Sequence, residues 1–195
     1  MKILTWNWFG RKMYGYQKIG AGSEVEVLLH ETNKVTWSKK EVRKLWPDDE
    51  FDFRMVESDG RAGGLISIWD TNCFRAESEI VNSIFFLITG KWIQSDTLVN
   101  LINMYVPCVA SNQLSLWNEL IILKSTDSAF WLAGGDFNTT RNQSERSNCS
   151  GPRSIREDFN NFITSFQLVD LPLIGEKITW FGPQNKRSRL DRFLL

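Results

Sequence analysis

Apolar residues fall in short runs with a period of two, separated by turn residues, and in three places the period lengthens to that of a helix. Residues 2–8 (KILTWNW) read as a strand, and residues 24–30 (EVEVLLH) alternate before turning apolar, as a strand with a buried end does. A helix is predicted next. Ser38 and Glu41 form an S-x-x-E capping box, Trp37 is placed to staple onto Val42, and Pro47 stops the helix at Trp46. Five strand-like segments follow at 51–57, 64–70, 73–80, 84–92 and 97–106. Asp59-Gly60, Gly63-Gly64, Thr71-Asn72 and Asn82-Ser83 punctuate them, which predicts an antiparallel meander. Residues 112–124 read as a helix with Leu116, Leu120 and Leu123 on one face. Residues 129–134 (AFWLAG) read as a buried strand running into Gly135-Asp136-Phe137-Asn138. Ser154 with Glu157 predicts a second capping box, opening a helix whose apolar stripe is Ile155, Phe159, Phe162, Ile163 and Phe166. Residues 177–181, a loop, and a strand over 188–195 complete the reading.

Many short strands, few helices, and no repeat or linker predict a single domain over residues 1–195 of the α/β (α+β) class. The expected architecture is a sandwich of mostly antiparallel sheets covered by helices. Composition narrows this further. The 195 residues carry 23 Lys plus Arg against 23 Asp plus Glu, so no strongly basic surface binds nucleic acid by bulk charge. Aromatics make up 13%, a load that suits a thick core with sheet character. Cys73, Cys108 and Cys149 are far apart and odd in number, which argues against a zinc site or a disulfide framework and for a reducing compartment. The longest apolar stretch, residues 84–89, is too short to span a bilayer, and the N-terminus lacks the apolar run of a signal peptide. A nuclear or cytoplasmic, monomeric protein with no membrane partner is the expectation.

Polar residues at the ends of apolar strands are the candidates for chemistry, because loops leaving rigid strands carry active sites. Asn7 sits between Trp6 and Trp8, where an amide costs free energy unless hydrogen-bonded. Glu31 follows Val27-Leu28-Leu29, Tyr105 ends another strand, and Asp191 lies within the last one. Asp136 and Asn138 follow Trp131-Leu132-Ala133-Gly134 at a spacing that puts both on one face if the backbone stays extended. Such oxygen ligands suit a hard cation, Mg²⁺ or Mn²⁺.

MKILTWN, HET, NMYVP, GGDFN and SRLDRFLL occur in an order and spacing that resembles the endonuclease/exonuclease/phosphatase superfamily, which has QET in place of HET. GRAGGLISIWD, NMYVPC, LWNEL, GGDFNTTRNQSER, LVDLPLIG and SRLDRFLL resemble in particular the endonuclease domain of plant LINE-type (non-LTR) retrotransposons. The resemblance covers nearly the whole chain. It implies a four-layer sandwich of two mixed sheets flanked by helices, and cleavage of DNA phosphodiesters with Mg²⁺ or Mn²⁺. By the same resemblance, Asn7 contacts phosphate and supports the metal site, and Glu31 is the principal metal ligand. Tyr105 contacts phosphate, Asp136 positions or deprotonates the attacking water, Asn138 assists it, and Asp191 holds the catalytic histidine.

The chain also departs from that pattern. The family's Ser-Asp-His segment follows the RLDRFLL strand, and no such segment occurs before Leu195. The one histidine, His30, directly precedes Glu31, and neighbours on a strand point to opposite faces. Residues 10–25, with glycines at 16, 20 and 22, look less helical than the family's segment there. The expectation is a C-terminally truncated domain with an impaired site and an exposed sheet edge. Two short segments supply local charge. Lys186, Arg187, Arg189 and Arg192 stand against Asp191, and Arg141, Arg146, Arg153 and Arg156 against Glu145, each a local net of +3. Arg141, Arg146, Lys186, Arg187, Arg189 and Trp180 are therefore the candidate DNA contacts, with binding that is weak and salt-sensitive. Blander readings stand beside these: a core amide at Asn7, a core ring at Tyr105 or Trp180, a turn at Asp136-Phe137-Asn138, and a surface charge pair at Asp191. A vestigial binding or interaction domain is the alternative function.

Overall fold

The alternating segments fold into two large sheets and one small one. In this computed structural model the described residues are 2–7, 25–30, 36–46, 49–59, 62–125, 128–172 and 177–195. Glu31, residues 10–24 and Pro47 lie outside them, as do the side chains of Asn7 and His30. The first sheet has the order β1-β2-β4-β3, from Lys2–Asn7, Val25–His30, Ala62–Asp70 and Phe51–Asp59. β1 and β2 run parallel, and the other pairs are antiparallel. The second has the order β12-β8-β7-β6-β5, from Asp191–Leu194, Phe130–Asp136, Thr97–Tyr105, Phe85–Trp92 and Phe74–Val81. Only β7 and β8 run parallel there, joined by the crossover helix α2, Ala110–Ser125. β10 (Trp180–Gly182), β11 (Lys186–Ser188) and β9 (Arg146–Ser147) form the small antiparallel sheet.

The two large sheets pack face to face. Leu65 and Trp69 of β4 meet Phe86, Ile88, Leu101 and Leu132 of the second sheet, with Phe74 closing the cluster. A buried polar tie crosses this layer. Asn103 is buried there and donates to the Ile66 carbonyl at 3.1 Å and to Ser67 Oγ at 3.3 Å. On the far face of the first sheet, Ile66 and Ile68 receive Trp37, Val42 and Trp46 around the single-turn helix α1, Lys39–Val42. On the far face of the second, α2 and α3 (Arg153–Ser165) cover Phe85, Leu87, Ile102, Met104, Trp131 and Ala133. Helix, sheet, sheet, helix is thus the layer order, a mixed α+β sandwich. Among the described residues no helix is long and apolar enough to cross a membrane.

Several sequence readings are corrected. The meander is not one sheet: the turn at 71–73 carries the chain from β4 in the first sheet to β5 in the second. The capping box at Ser38 and Glu41 is present, but the helix ends after one turn at Val42 instead of reaching Trp46. Ser154 is not a cap. α3 starts at Arg153 behind Pro152, and Glu157 instead accepts from Arg153 Nε at 2.7 Å, one turn away. The final segment is two strands, not one: Arg189 and Leu190 step from β11 in the small sheet to β12 in the large one. Nor is the outer edge of β12 bare. Leu171 donates to the Phe193 carbonyl at 2.9 Å, and Val169 donates to the Leu195 carbonyl at 2.6 Å.

Candidate functional site

Three strands bring the candidate residues to one row. In the register of the second sheet, Tyr105 of β7 lies beside Asp136 of β8, and Asp136 lies beside Asp191 of β12. Both carboxylates are buried, Asp136 at 3% and Asp191 at 4% exposure. β8 reaches this row through Gly135, which has a φ of 141°. A Cβ there would come 1.9 Å from the Met104 carbonyl oxygen, so only glycine lets β8 run this close to β7 beside Asp136.

Beyond Asp136 the chain does not stay extended. Asn138 has a φ of 47°, and its backbone N–H donates to Asp136 Oδ1 at 2.7 Å, an Asx turn. Asn tolerates this left-handed conformation better than most residues. The shared face expected for Asp136 and Asn138 is therefore replaced by a direct hydrogen bond between them. Asn138 Nδ2 donates to the Val106 carbonyl at 2.6 Å, and Val106 N–H donates to the Asp136 carbonyl at 2.8 Å. Phe137 N–H donates to the Leu190 carbonyl at 2.9 Å. Thr179 Oγ1 accepts from both Leu190 N–H and Asp191 N–H at 3.0 Å. Each candidate group is thus held by backbone on either side of it.

The arginines divide into two sets. Arg192 is fully buried and places its guanidinium against Glu145 Oε2 at 2.5 Å and Asp170 Oδ2 at 2.6 Å. Arg189 pairs with the same two carboxylates, at 3.3 Å and 2.8 Å. Arg141 donates from Nε to Asn160 Oδ1 at 3.0 Å and lies 3.4 Å from Asp170. Asp191 is therefore not a surface charge pair with its neighbours: Arg189 and Arg192 turn to Glu145 and Asp170. Burial by itself would push the Glu145 carboxyl up. The hydrogen bond and charge of Arg192, with the N–H groups of Arg141 and Asn142, reverse this and hold it below the usual carboxylate range.

The second set lies in and beside the small sheet. Arg187 is exposed over the Phe181 ring at 6.0 Å, and Lys186 precedes it in the β10–β11 hairpin. Gln184 and Asn185, both left-handed, close that hairpin. Trp180 is half-buried at its base. Arg146 is half-buried in β9 and donates to the Gly151 carbonyl at 3.2 Å. Sequence reading missed Glu145, Asp170 and Thr179, since nothing in a lone acidic or hydroxyl residue on a loop signals a buried partner.

The donor set of the row suits a hard cation, because Asp136, Asp191 and Asn138 offer carboxylate and amide oxygens on fixed backbone. Among the described residues no group of three or more His, Cys, Asp or Glu side chains gathers around one point. Glu31, the expected further ligand, is outside them.

No protein-family model matches the chain, and no curated protein matches it. Solved structures do. AP endonuclease LMAP from Leishmania major is 14% identical with a TM-score of 0.58, covering 87% of this chain and 68% of its own. The endonuclease domain of TRAS1, a telomere-specific non-LTR retrotransposon, is 11% identical with a TM-score of 0.58, covering 87% and 71%. An endonuclease/exonuclease/phosphatase family protein from Leptotrichia buccalis is 13% identical with a TM-score of 0.53, covering 87% and 74%. At these identities the likeness is one of fold, and the fold is the endonuclease/exonuclease/phosphatase sandwich.

Proposed function

We propose that this chain is a phosphodiesterase domain of DNA-endonuclease type and retrotransposon origin, using Mg²⁺ or Mn²⁺, with weak turnover as a 195-residue polypeptide. The observation that carries the reading is the row Tyr105, Asp136, Asp191 with Asn138 bound back to Asp136, on a fold shared with nucleases. In this reading Asp136 accepts the proton of the attacking water, with its orientation fixed by the N–H of Asn138. Tyr105 and Asn138 donate to the phosphate, where negative charge builds in the transition state. Asp136 and Asp191, with Glu31 and Asn7, would hold the cation, which would polarise the phosphoryl oxygen when bound. β1 and β2 face β8 across the sandwich, which supports pooling ligands from both sheets. The resemblance assigns Asp191 a histidine partner, and the only histidine among the 195 residues is His30. Lack of one acid–base group slows such a reaction by roughly 100- to 10,000-fold.

For DNA contact the reading keeps Lys186, Arg187, Arg146 and Trp180, around the small sheet. Arg141 and Arg189 are engaged with Asn160, Glu145 and Asp170, so they support the loops and reach phosphate only if those pairs open. The exposed Arg187 and Phe181 also favour a second reading, a binding module without turnover. Plasmid nicking with Mg²⁺ and with Mn²⁺ separates the two. Faint nicking that Asp136→Ala removes supports the enzyme. No nicking, together with DNA anisotropy that falls as salt rises, supports the module. Robust nicking abolished by Asp136→Ala would overturn the weak-turnover part.

A further inference from the structure

We propose that Glu145 and Arg192 form a clamp that sets where Asp191 stands relative to Asp136 and Asn138, which makes both of them positioning residues. The chemical consequence rests on the phosphodiesterase reading; the mechanical coupling does not.

The two acids sit on different strands, and the clamp spans them. On one side, the Glu145 carboxylate accepts the backbone N–H of Arg141 at 2.7 Å and of Asn142 at 3.2 Å. Those residues follow Asn138 by three and four positions, so Glu145 grips the loop that leaves the Asx turn. On the other side, the same carboxylate takes both arms of the Arg192 guanidinium, at 3.1 Å and 2.5 Å. Arg192 follows Asp191 directly, and its backbone pairs with Gly135, just before Asp136. Arg189, two residues before Asp191, reaches Glu145 Oε1 at 3.3 Å, and its backbone N–H donates to the Glu145 carbonyl at 2.9 Å. The chain is therefore held to Glu145 on both sides of Asp191. Neighbours on a strand point to opposite faces. Arg192 turns under α3, with its guanidinium 5.7 Å from the Phe159 ring, while Asp191 turns the other way. A shift of the buried arginine is thus transmitted to the carboxylate beside it.

Energetics points the same way. A largely buried ion cluster adds little stability over a well-packed apolar one, because desolvation offsets its attraction. What such a cluster does supply is a unique geometry: a two-armed guanidinium meets a carboxylate in one orientation only.

The test uses the 195-residue chain with Arg192→Met and the double variant Arg192→Met/Glu145→Gln. The double removes one charge of each sign and keeps an acceptor for the Arg141 and Asn142 N–H groups, so it is the variant expected to melt near wild type. Two readouts are taken on it: amide exchange at Phe137 and Asn138, and Mn²⁺ affinity by titration. Both amides should exchange about 10-fold faster and Mn²⁺ should bind about 10-fold more weakly, as for loss of groups that orient a metal ligand. The amides of Ile88 and Leu101, in the middle of the same sheet, should keep wild-type rates. A folded double variant with wild-type exchange at Phe137 and Asn138 overturns the clamp, whatever Mn²⁺ does. If the amides respond but the wild-type chain binds no Mn²⁺, the clamp stands and the phosphodiesterase reading falls. Should the double variant not fold, Arg192→Lys, which keeps the charge and loses the two-armed contact, is read by the same criteria.

Discussion

Phe159 touches two buried regions of different construction. On one side of it the ring of Trp117 lies 5.5 Å away, and Trp117 also stacks on Phe162 at 4.5 Å and on Phe137 at 6.2 Å. On the other side lies the Arg192 guanidinium, carrying Glu145 and Asp170 with it. The rings are held by area and shape, which are non-directional and divide among many contacts. The ions are held by directional pairs, and removing one member leaves a desolvated charge short of a partner. The first region therefore gives way by degrees, and the second all at once.

Single substitutions expose this contrast most strongly. Arg192→Met takes the nearest cation from the Glu145 and Asp170 carboxylates, leaving them Arg189 and Arg141, and should cost about 3 kcal/mol in urea unfolding. Phe162→Leu, in the ring cluster, should cost about 1–2 kcal/mol, because a smaller apolar group repacks in part. Equal costs would mean that the two regions yield in the same way.

Acid sharpens it further. The Glu145 carboxyl lies below its ordinary value of 4.5 in the folded chain. The folded state thus binds that proton less readily than the unfolded one. The stability this supplies is present above about pH 4.5 and drains away as pH falls through the lower folded value. Stability should therefore drop more steeply as pH falls below about 4.5 in wild type than in Glu145→Gln. Parallel curves would remove Glu145 from the account, while the ring cluster predicts no such slope.

The smallest expected effect lies outside both regions. Arg153 and Glu157 make an exposed pair at 2.7 Å on the first turn of α3. Arg153→Ala should change stability by less than about 0.5 kcal/mol. A larger loss in thermal unfolding would mean that the N-terminus of α3 does more than end a helix. In the Arg192 cluster the same chemical pairing carries weight because water is excluded.

Much of the fold was legible. The stripe Phe159, Phe162, Ile163 and Phe166 has helical spacing, and all four are buried as their period predicts. The apolar runs in 64–70 and 97–106, bounded by turn residues, marked strands β4 and β7, because a strand buried on both faces reads as a near-continuous apolar segment. The division of the meander was not legible. A turn between β4 and β5 has the same residues whether the next strand pairs with the last or crosses to another sheet. Ser154 misled because a capping pattern is local, and Pro152 set the helix start two residues earlier.

The candidate row was legible as types at strand ends: Tyr105, Asp136, Asn138 and Asp191 are polar residues closing or interrupting apolar runs. Their mutual geometry was not. Asn138 left the extended path because Asp136 offered its N–H a nearer acceptor. The basic segments show the limit most clearly. Read along the chain, Arg141, Arg187, Arg189 and Arg192 are equivalent positive charges near a proposed site. Folded, Arg192 is sealed under α3, Arg189 and Arg141 are engaged with acids and amides, and Arg187 alone of these four stands exposed.

Period and turn chemistry are properties of neighbours in sequence, and they mark most of the strands, the apolar stripes and the residue types offered for catalysis. Which charge meets which depends on residues more than forty positions apart, as with Arg192 and Glu145. Only the packing of β12 against the loop after β8 brings those two together and separates an arginine that orients the site from one that faces solvent.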